Sequence, residues 1–354
     1  MGHIKLTYHI KSTRVPVETI IQEIEYGSTF ALYHDKEEII SYKSNLKWIN
    51  WEQDGKKLFI HVDDSFFELD CFFEKFMTIF LYNFMDFGTL YLEEIDISNS
   101  SFSQRIPHRN QTIGLDGNKF LNGTIYKPYY HLSIEDKLKQ TEMFISYGMN
   151  VFKNDECFLI SKESIVQEAR VICDAIQDKA YYIPNVTSYV NDYNLIKELI
   201  DIGIKVCMVD FLVCGFKSVY HMKQLFPNIL IWGHRIGYST IEHYVSMQAI
   251  GVLGILAGLD FMHVGTPTSI NLEEKKKTIK SLQDIHHGFM PVFTKTTPEL
   301  LDFLIPAFQR SAIYLTCGYL RDTDANIIEQ NIINWTKKFN YGKIHFCSRR
   351  VFSR

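Results

Sequence analysis

The run Lys153-Asn154-Asp155-Glu156 places two carboxylates just after a lysine, at the end of an apolar segment. Carboxylate oxygens are hard ligands of the kind magnesium prefers. On a regular strand two adjacent side chains point to opposite faces, so Asp155 and Glu156 reach one ion only where the chain leaves strand geometry. Other apolar segments also end in polar groups: Lys127 before Pro128, Asp210, Gly233-His234-Arg235, His263-Val264-Gly265-Thr266, Lys295 and Arg321. His234, Arg235 and His263 suit a phosphate or an enediolate oxygen, because they supply N–H donors or positive charge. Taken singly, a strand-end lysine is usually solvated and a lone histidine is usually a packing residue. Charges gathered into one concave site are costly unless a metal or an anionic ligand offsets them.

These groups meet only if the fold brings their segments to one rim. After residue 119 strand-like and helical stretches alternate, with strands expected at 122–127, 150–154, 180–186, 205–211, 228–233, 260–264, 289–294 and 312–317. The helical stretches carry start signals. Ser133 precedes a helix stopped by Gly148, Asn191 or Asp192 caps one that ends at Gly203, and Thr297-Pro298 opens another. Eight such units in roughly 235 residues match a closed (β/α)8 TIM barrel, whose chemistry lies at the C-terminal strand ends. An open doubly wound sheet is the alternative, usually with fewer strands. No GxGxxG or GxxxxGK(S/T) loop follows a strand, which argues against nucleotide binding of those two kinds.

The first hundred residues have a different rhythm. Strands are expected at 4–11, 29–34, 38–50, 57–62 and 89–97, with helices at 16–26 and, rich in aromatics, at 65–86. This is a smaller α+β domain, a ferredoxin-like antiparallel sheet with two helices. The serine-rich connection near 98–103 divides the chain into an N-terminal domain, 1–103, and a barrel catalytic domain, 104–354.

Of the 354 residues, 46% are hydrophobic and 22% charged, close to a globular average. A net charge of −4 gives no global attraction to nucleic acid or anionic membranes. Seven cysteines, an odd number with no CxxC pair, read as reduced thiols of a cytoplasmic protein. Cys214 or Cys317 as a catalytic thiol is the minor reading. MGHIKLTYHIK has no apolar signal core, and the apolar helix near 244–259 is interrupted by Gln248, Gly251 and Gly254, so no membrane span is expected. Asn185-Val186-Thr187 fits a glycosylation pattern that a strand in a cytosolic protein would not use. Lys275, Lys276 and Lys277 read as a solvated helix start, and His286-His287 as a charge feature at a helix end.

Five segments carry a resemblance to the RuBisCO large chain: FLYNFMDFGTLYLEEIDI (80–97), GTIYKPYYHLS (123–133), GMNVFKNDE (148–156), IWGHRIG (231–237) and LDFMHVGT (259–266). The resemblance implies a divergent, RuBisCO-like (form IV-like) protein. It implies Lys127 as the enolising base and Lys153 as a lysine that takes up carbon dioxide as a carbamate. Asp155 and Glu156 complete the magnesium site, and His234 is catalytic. Arg235 and His263 match phosphate ligands, with Thr294 and Gly318 at further substrate or phosphate positions. Asn83 matches an asparagine that reaches the partner subunit's site in a head-to-tail homodimer, alone or within an oligomer of dimers. The departures are specific. Tyr129 replaces a second lysine, Ile270 stands where the carboxylating lysine belongs, Thr294-Lys295-Thr296 replaces serine-glycine-glycine, and Thr316-Cys317-Gly318 replaces a triple glycine. Side chains at those glycines would crowd or replace one phosphate. The expected activity is magnesium-dependent enolisation, isomerisation or related carbon–carbon (lyase-type) chemistry on a singly phosphorylated keto compound. Carboxylation is not expected. The alternative is a binding or scaffold protein that keeps the barrel and part of its site.

Overall fold

Inward-facing residues repeat every second position along eight short parallel strands of the chain, and this period builds its barrel. The computed structural model describes residues 2–13, 15–26, 48–67, 69–82, 88–106, 119–127, 132–156, 160–320 and 324–349. The chain folds into two units. One comprises Met1–Pro107, Gly237–Ala257 and Asp284–His286, and the other His108–Ile236, Gly258–Gln283 and His287–Arg354.

In the first unit, strands β1 (His3–Thr13), β2 (Ile49–Asp54), β3 (Lys57–Asp63) and β4 (Gly88–Asp96) form an antiparallel sheet in the order β2-β3-β1-β4. Alternation sets its buried face: Ile4, Leu6 and Tyr8 on β1 are covered, as are Leu58, Ile60 and Val62 on β3. The helix Val17–Tyr26 lies where expected. Expected strands 29–34 and most of 38–50 lie outside the described residues. The aromatic run 65–86 is not one helix. Two 3-10 turns, a short helix Phe72–Phe76 and a π-helical segment Met77–Tyr82 cover its described part. Asp63 caps the first turn by accepting from the Ser65 N–H at 2.8 Å, and that turn ends where Phe67 turns extended, at φ −100° and ψ 109°. Phe72, Phe76 and Phe80 still stack in sequence, at 5.9 and 5.6 Å between ring centroids.

The helix Met247–Ala257 belongs to this unit. The polar residues beside and within it tie it to β4: Gln248 both accepts from the Ile95 N–H and donates to the Ile95 carbonyl, and the Ser246 hydroxyl donates to the Glu93 carbonyl. Among the described residues no helix is long and apolar enough to cross a membrane.

In the second unit, β5 (Leu121–Ile125), β6 (Val151–Lys153), β7 (Tyr181–Ile183), β8 (Val206–Asp210), β9 (Leu230–His234), β10 (Phe261–His263), β11 (Met290–Phe293) and β12 (Ile313–Thr316) pair in parallel. β12 pairs β5, and the gap between β7 and β8 is bridged by Asn185 and Met208, so the ring is nearly closed. All eight expected strands are present. Gly123 is required where β5 meets β6, because a Cβ there would lie 1.7 Å from the Val151 carbonyl oxygen. The predicted helix starts also hold: Ser133 forms a capping box with Asp136, Asp192 caps Tyr193–Ile202, and Thr297 caps the helix that Pro298 begins.

Candidate functional site

One apolar cluster draws on every barrel strand: Leu121, Val151, Tyr181, Ile183, Val206, Met208, Trp232, Phe261, Val292, Ile313 and Leu315, with Ile125 packed against it. Two residues beyond the last member from each strand stand Lys127, Lys153, Asn185, Asp210, His234, His263, Thr294 and Cys317. The side-chain period of two therefore ends the apolar interior in polar groups on all eight strands. Here lies the site.

Lys153 is fully buried. Its ammonium donates to the Asn154 carbonyl at 2.8 Å, lies 3.0 Å from Met208 Sδ, and sits 3.4 Å from Glu156 Oε2. Burial lowers its pKa even though the charges of Glu156, Asp155 and Asp210 oppose that shift. Lys127 Nζ meets Asp155 Oδ2 at 2.7 Å and Glu156 Oε1 at 3.4 Å, so the adjacent carboxylates do converge on one cation. The regular strand stops at Lys153, which frees them to do so. Desolvation works against the Lys127 charge, but the Asp155 hydrogen bond and the two carboxylates outweigh it and raise its pKa. Desolvation would raise Glu156, yet Lys153, His234 and Lys127 together bring it down to about 2.

His234 Nδ1 is 2.7 Å from Asp210 Oδ1, and its Nε2 is 3.8 Å from Glu156 Oε2. The His263 ring stands edge-on to His234 at 4.6 Å, and its Nε2 accepts from the Trp232 indole N–H at 2.8 Å. Burial, with the charges of His234, Lys153 and Arg235, holds His263 well below the usual histidine range. Neutral, with Nε2 occupied as an acceptor, His263 keeps an Nδ1–H to donate.

Lys127, Lys153, Asp155, Glu156, His234 and His263 are thus joined by direct contacts. Arg235 is half-buried, with Nη2 3.2 Å from where a Cβ of Gly265 would lie. Lys275 Nζ is 3.7 Å from the same point and donates to the Val264 carbonyl at 3.1 Å, so this lysine is not simply part of a solvated helix start. Thr294 is clipped to Thr266: the Thr266 hydroxyl donates to the Thr294 carbonyl at 2.5 Å and accepts from the Thr294 N–H at 2.9 Å. Lys295 adopts φ +55°, a left-handed conformation that favours glycine, at a place where the resemblance expects one. Gly318 begins a 3-10 turn with open space where a Cβ would point. Asn83, Tyr129 and Arg321 lie outside the described residues.

His286 is buried rather than an exposed charge at a helix end. Burial and the Asp210 charge push the Cys214 thiol up to about 12, which works against thiolate chemistry there. Sequence reasoning passed over Asn185 and Thr187 as site residues, although position 185 falls in the same period-two register as Lys153 and His234. Asn185 Nδ2 donates to the carbonyls of Asp155 and Glu156, both at 3.3 Å.

No family model matches the chain. In sequence it is similar to a ribulose bisphosphate carboxylase from Methanocaldococcus jannaschii, 29% identical over 178 residues, which cover 46% of this chain and 41% of that protein. The matched part is thus less than half of that relative's length. In fold it is similar to the octameric ribulose-1,5-bisphosphate carboxylase/oxygenase of Pyrococcus horikoshii OT3, with a TM-score of 0.78 and 18% identity over 96% of this chain and 89% of that one. It is also similar to a RuBisCO-like protein from Burkholderia fungorum, with a TM-score of 0.72 and 13% identity over 97% of this chain and 95% of that one. These sequence and fold matches all point to the RuBisCO large-chain superfamily, and their distant identity fits a divergent, RuBisCO-like protein.

Proposed function

We propose that the chain is a RuBisCO-like enzyme that enolises a singly phosphorylated keto compound, as the first step of an isomerisation or related carbon–carbon reaction. The observation that carries this reading is the convergence of Asp155 and Glu156 on the Lys127 ammonium, at 2.7 and 3.4 Å. Two carboxylates already aimed at one cation form a donor set that fits magnesium. Lys153 supplies the third protein donor once its amine adds carbon dioxide and loses a proton, and the burial that lowers its pKa favours that neutral amine. Bound there, magnesium would polarise a ketone and stabilise the negative charge that develops on its oxygen.

The remaining roles belong to the chain. When Asp155 and Glu156 turn to another cation, Lys127 loses the partners that hold its proton and becomes able to abstract one beside the ketone. His234 presents Nε2 toward Glu156. Arg235 and the neutral His263 N–H bind the phosphate, with Thr294 and Gly318 on the next strand ends along the rim. Asn83 would act across a homodimer or an oligomer of dimers.

Proton exchange tests this. In deuterium oxide with magnesium and bicarbonate, the protein should exchange the proton beside the carbonyl in a panel of phosphorylated ketoses, followed by NMR. Lys127→Ala should reduce the rate by about 100-fold or more, as loss of a general base does.

A second reading, a binding or scaffold protein, is favoured by the altered rim after β10, β11 and β12, where Ile270, Thr294-Lys295-Thr296 and Thr316-Cys317-Gly318 replace the residues that the resemblance expects. Titration with Mn2+, with and without carbon dioxide, separates the two readings. Binding that needs carbon dioxide supports the enzyme, and no binding under either condition supports the scaffold. Carboxylation has less behind it. Ile270, at the carboxylating lysine's place, is 96% exposed, and Lys275 is tied to Val264. Fixation of labelled bicarbonate measures that activity directly.

A further inference from the structure

Behind His234 runs a chain of hydrogen bonds from three strand ends that the proposed roles leave unused. Asp210 Oδ1 meets His234 Nδ1 at 2.7 Å. The Asp210 N–H donates to Thr187 Oγ1 at 2.8 Å, and that hydroxyl lies 3.3 Å from Asp210 Oδ2 and 2.7 Å from Asn185 Oδ1. The Thr187 N–H also donates to Asn185 Oδ1 at 3.0 Å. Asn185 Nδ2 completes the chain on the carbonyls of Asp155 and Glu156. Asp210, Thr187 and Asn185 are all buried, at 3, 7 and 4% exposure.

Burial makes each of these groups costly unless it is bonded, so the arrangement has few alternatives. A carboxylate only accepts, so a neutral His234 bonded to Asp210 must carry its proton on Nδ1 and leave the Nε2 lone pair facing the Glu156 side. The same brace reaches the acidic pair through Asn185. One network therefore fixes both the histidine ring and the peptide that aims the two carboxylates.

We propose that Asp210, braced by Thr187 and Asn185, is the positioning residue of His234: it holds the ring as the Nδ1–H tautomer with Nε2 turned toward Glu156. Asp210 itself touches no reacting atom in this scheme. The catalytic meaning of the proposal rests on the enolisation reading, but its geometry does not, and the test uses neither metal nor substrate.

The test is long-range nitrogen–proton correlation NMR of histidine-labelled full-length protein, with His234 assigned by comparison with His234→Gln. Wild type is expected to show a protonated, pyrrole-like Nδ1 and a pyridine-like Nε2, with a downfield Nδ1 proton. In Asp210→Ala the tautomer should shift toward Nε2–H. Thr187→Val, which keeps the carboxylate but removes its brace, should give a smaller shift in the same direction. If Asp210→Ala fails to fold, Asp210→Asn decides: the charge-assisted hydrogen bond is lost, so the Nδ1 proton should move upfield or disappear. An Nε2–H tautomer in wild type overturns the proposal, as does an unchanged His234 signature in folded Asp210→Ala or Asp210→Asn. Failure of proton exchange with an intact tautomer signature would sink the enolisation reading and leave the role of Asp210 standing.

Discussion

Two sets of buried or half-buried lysines and carboxylates sit on neighbouring strands and helices of the barrel unit, and they are built differently. Lys137 and Glu168 lie on the helices Ile134–Ser146 and Lys162–Ile176, meet at 2.6 Å, and are 3 and 4% exposed. The Tyr182 hydroxyl donates to the other Glu168 oxygen at 2.6 Å and accepts from Asn154 at 2.9 Å. At the strand ends, by contrast, Lys127 meets Asp155 and Glu156 while Lys153 meets Glu156, and three of the four contacts here, counting His234 to Glu156, are 3.4 Å or longer. The first set is a short ion pair held by hydrogen bonds from neutral side chains. The second is a looser cluster, with longer contacts spread over several partners. A buried pair of the first kind resists change because removing one partner strands the other. Asn154 joins the two sets, since it lies between Lys153 and Asp155 in sequence and hydrogen bonds to Tyr182.

The largest expected effect would break this contrast if it failed. Lys137→Met leaves Glu168 buried without its ammonium and should cost about 3–5 kcal/mol. Lys153→Met, which removes a cation that burial disfavours while Lys127 still faces the acids, should change stability by no more than about 1 kcal/mol. Midpoints of urea unfolding compare the two, and equal losses would erase the distinction.

The strand-end set should also show itself in acid. His263 is held neutral in the folded chain, its pKa lowered chiefly by burial. Below the usual histidine value of about 6.5 the unfolded chain takes up a proton that the folded chain does not. This contribution is therefore complete above that pH and declines below it, by about 1.4 kcal/mol per pH unit while the folded histidine stays neutral. In His263→Gln that part of the slope should vanish from stability measured between about pH 6.5 and 5.

Smaller effects sharpen the picture. Tyr182→Phe removes the hydroxyl that links Glu168 to Asn154 and should cost about 1–2 kcal/mol, because two buried polar groups lose a partner. If Asn154 helps to aim Asp155, the same variant should also weaken Mn2+ binding. Ile270→Ser, on a side chain left almost wholly in solvent, should stay within about 0.5 kcal/mol of wild type in thermal unfolding.

Much of this was legible in the linear chain. Strand–helix alternation after residue 119, the caps Ser133, Asp192 and Thr297, and the polar residues closing apolar segments are local patterns, and local patterns survive folding when every neighbour agrees with them. The aromatic run 65–86 misled because its apolar spacing reads as one helix, while the extended backbone at Phe67 ends the first turn. Lys275 misled because a lysine among lysines looks solvated, and only the turn after β10 brings its ammonium to the Val264 carbonyl.

The order of residues determined that polar groups would stand on a barrel rim, because the side-chain period in a strand is two and the apolar interior ends in register on all eight strands. Tertiary structure alone decided which of them meet. That Lys153 faces Met208, that Asp210 holds His234, and that Asn185 reaches the carbonyls of Asp155 and Glu156 depends on the stagger between neighbouring strands. Barrel closure fixes that stagger, and no local pattern encodes it.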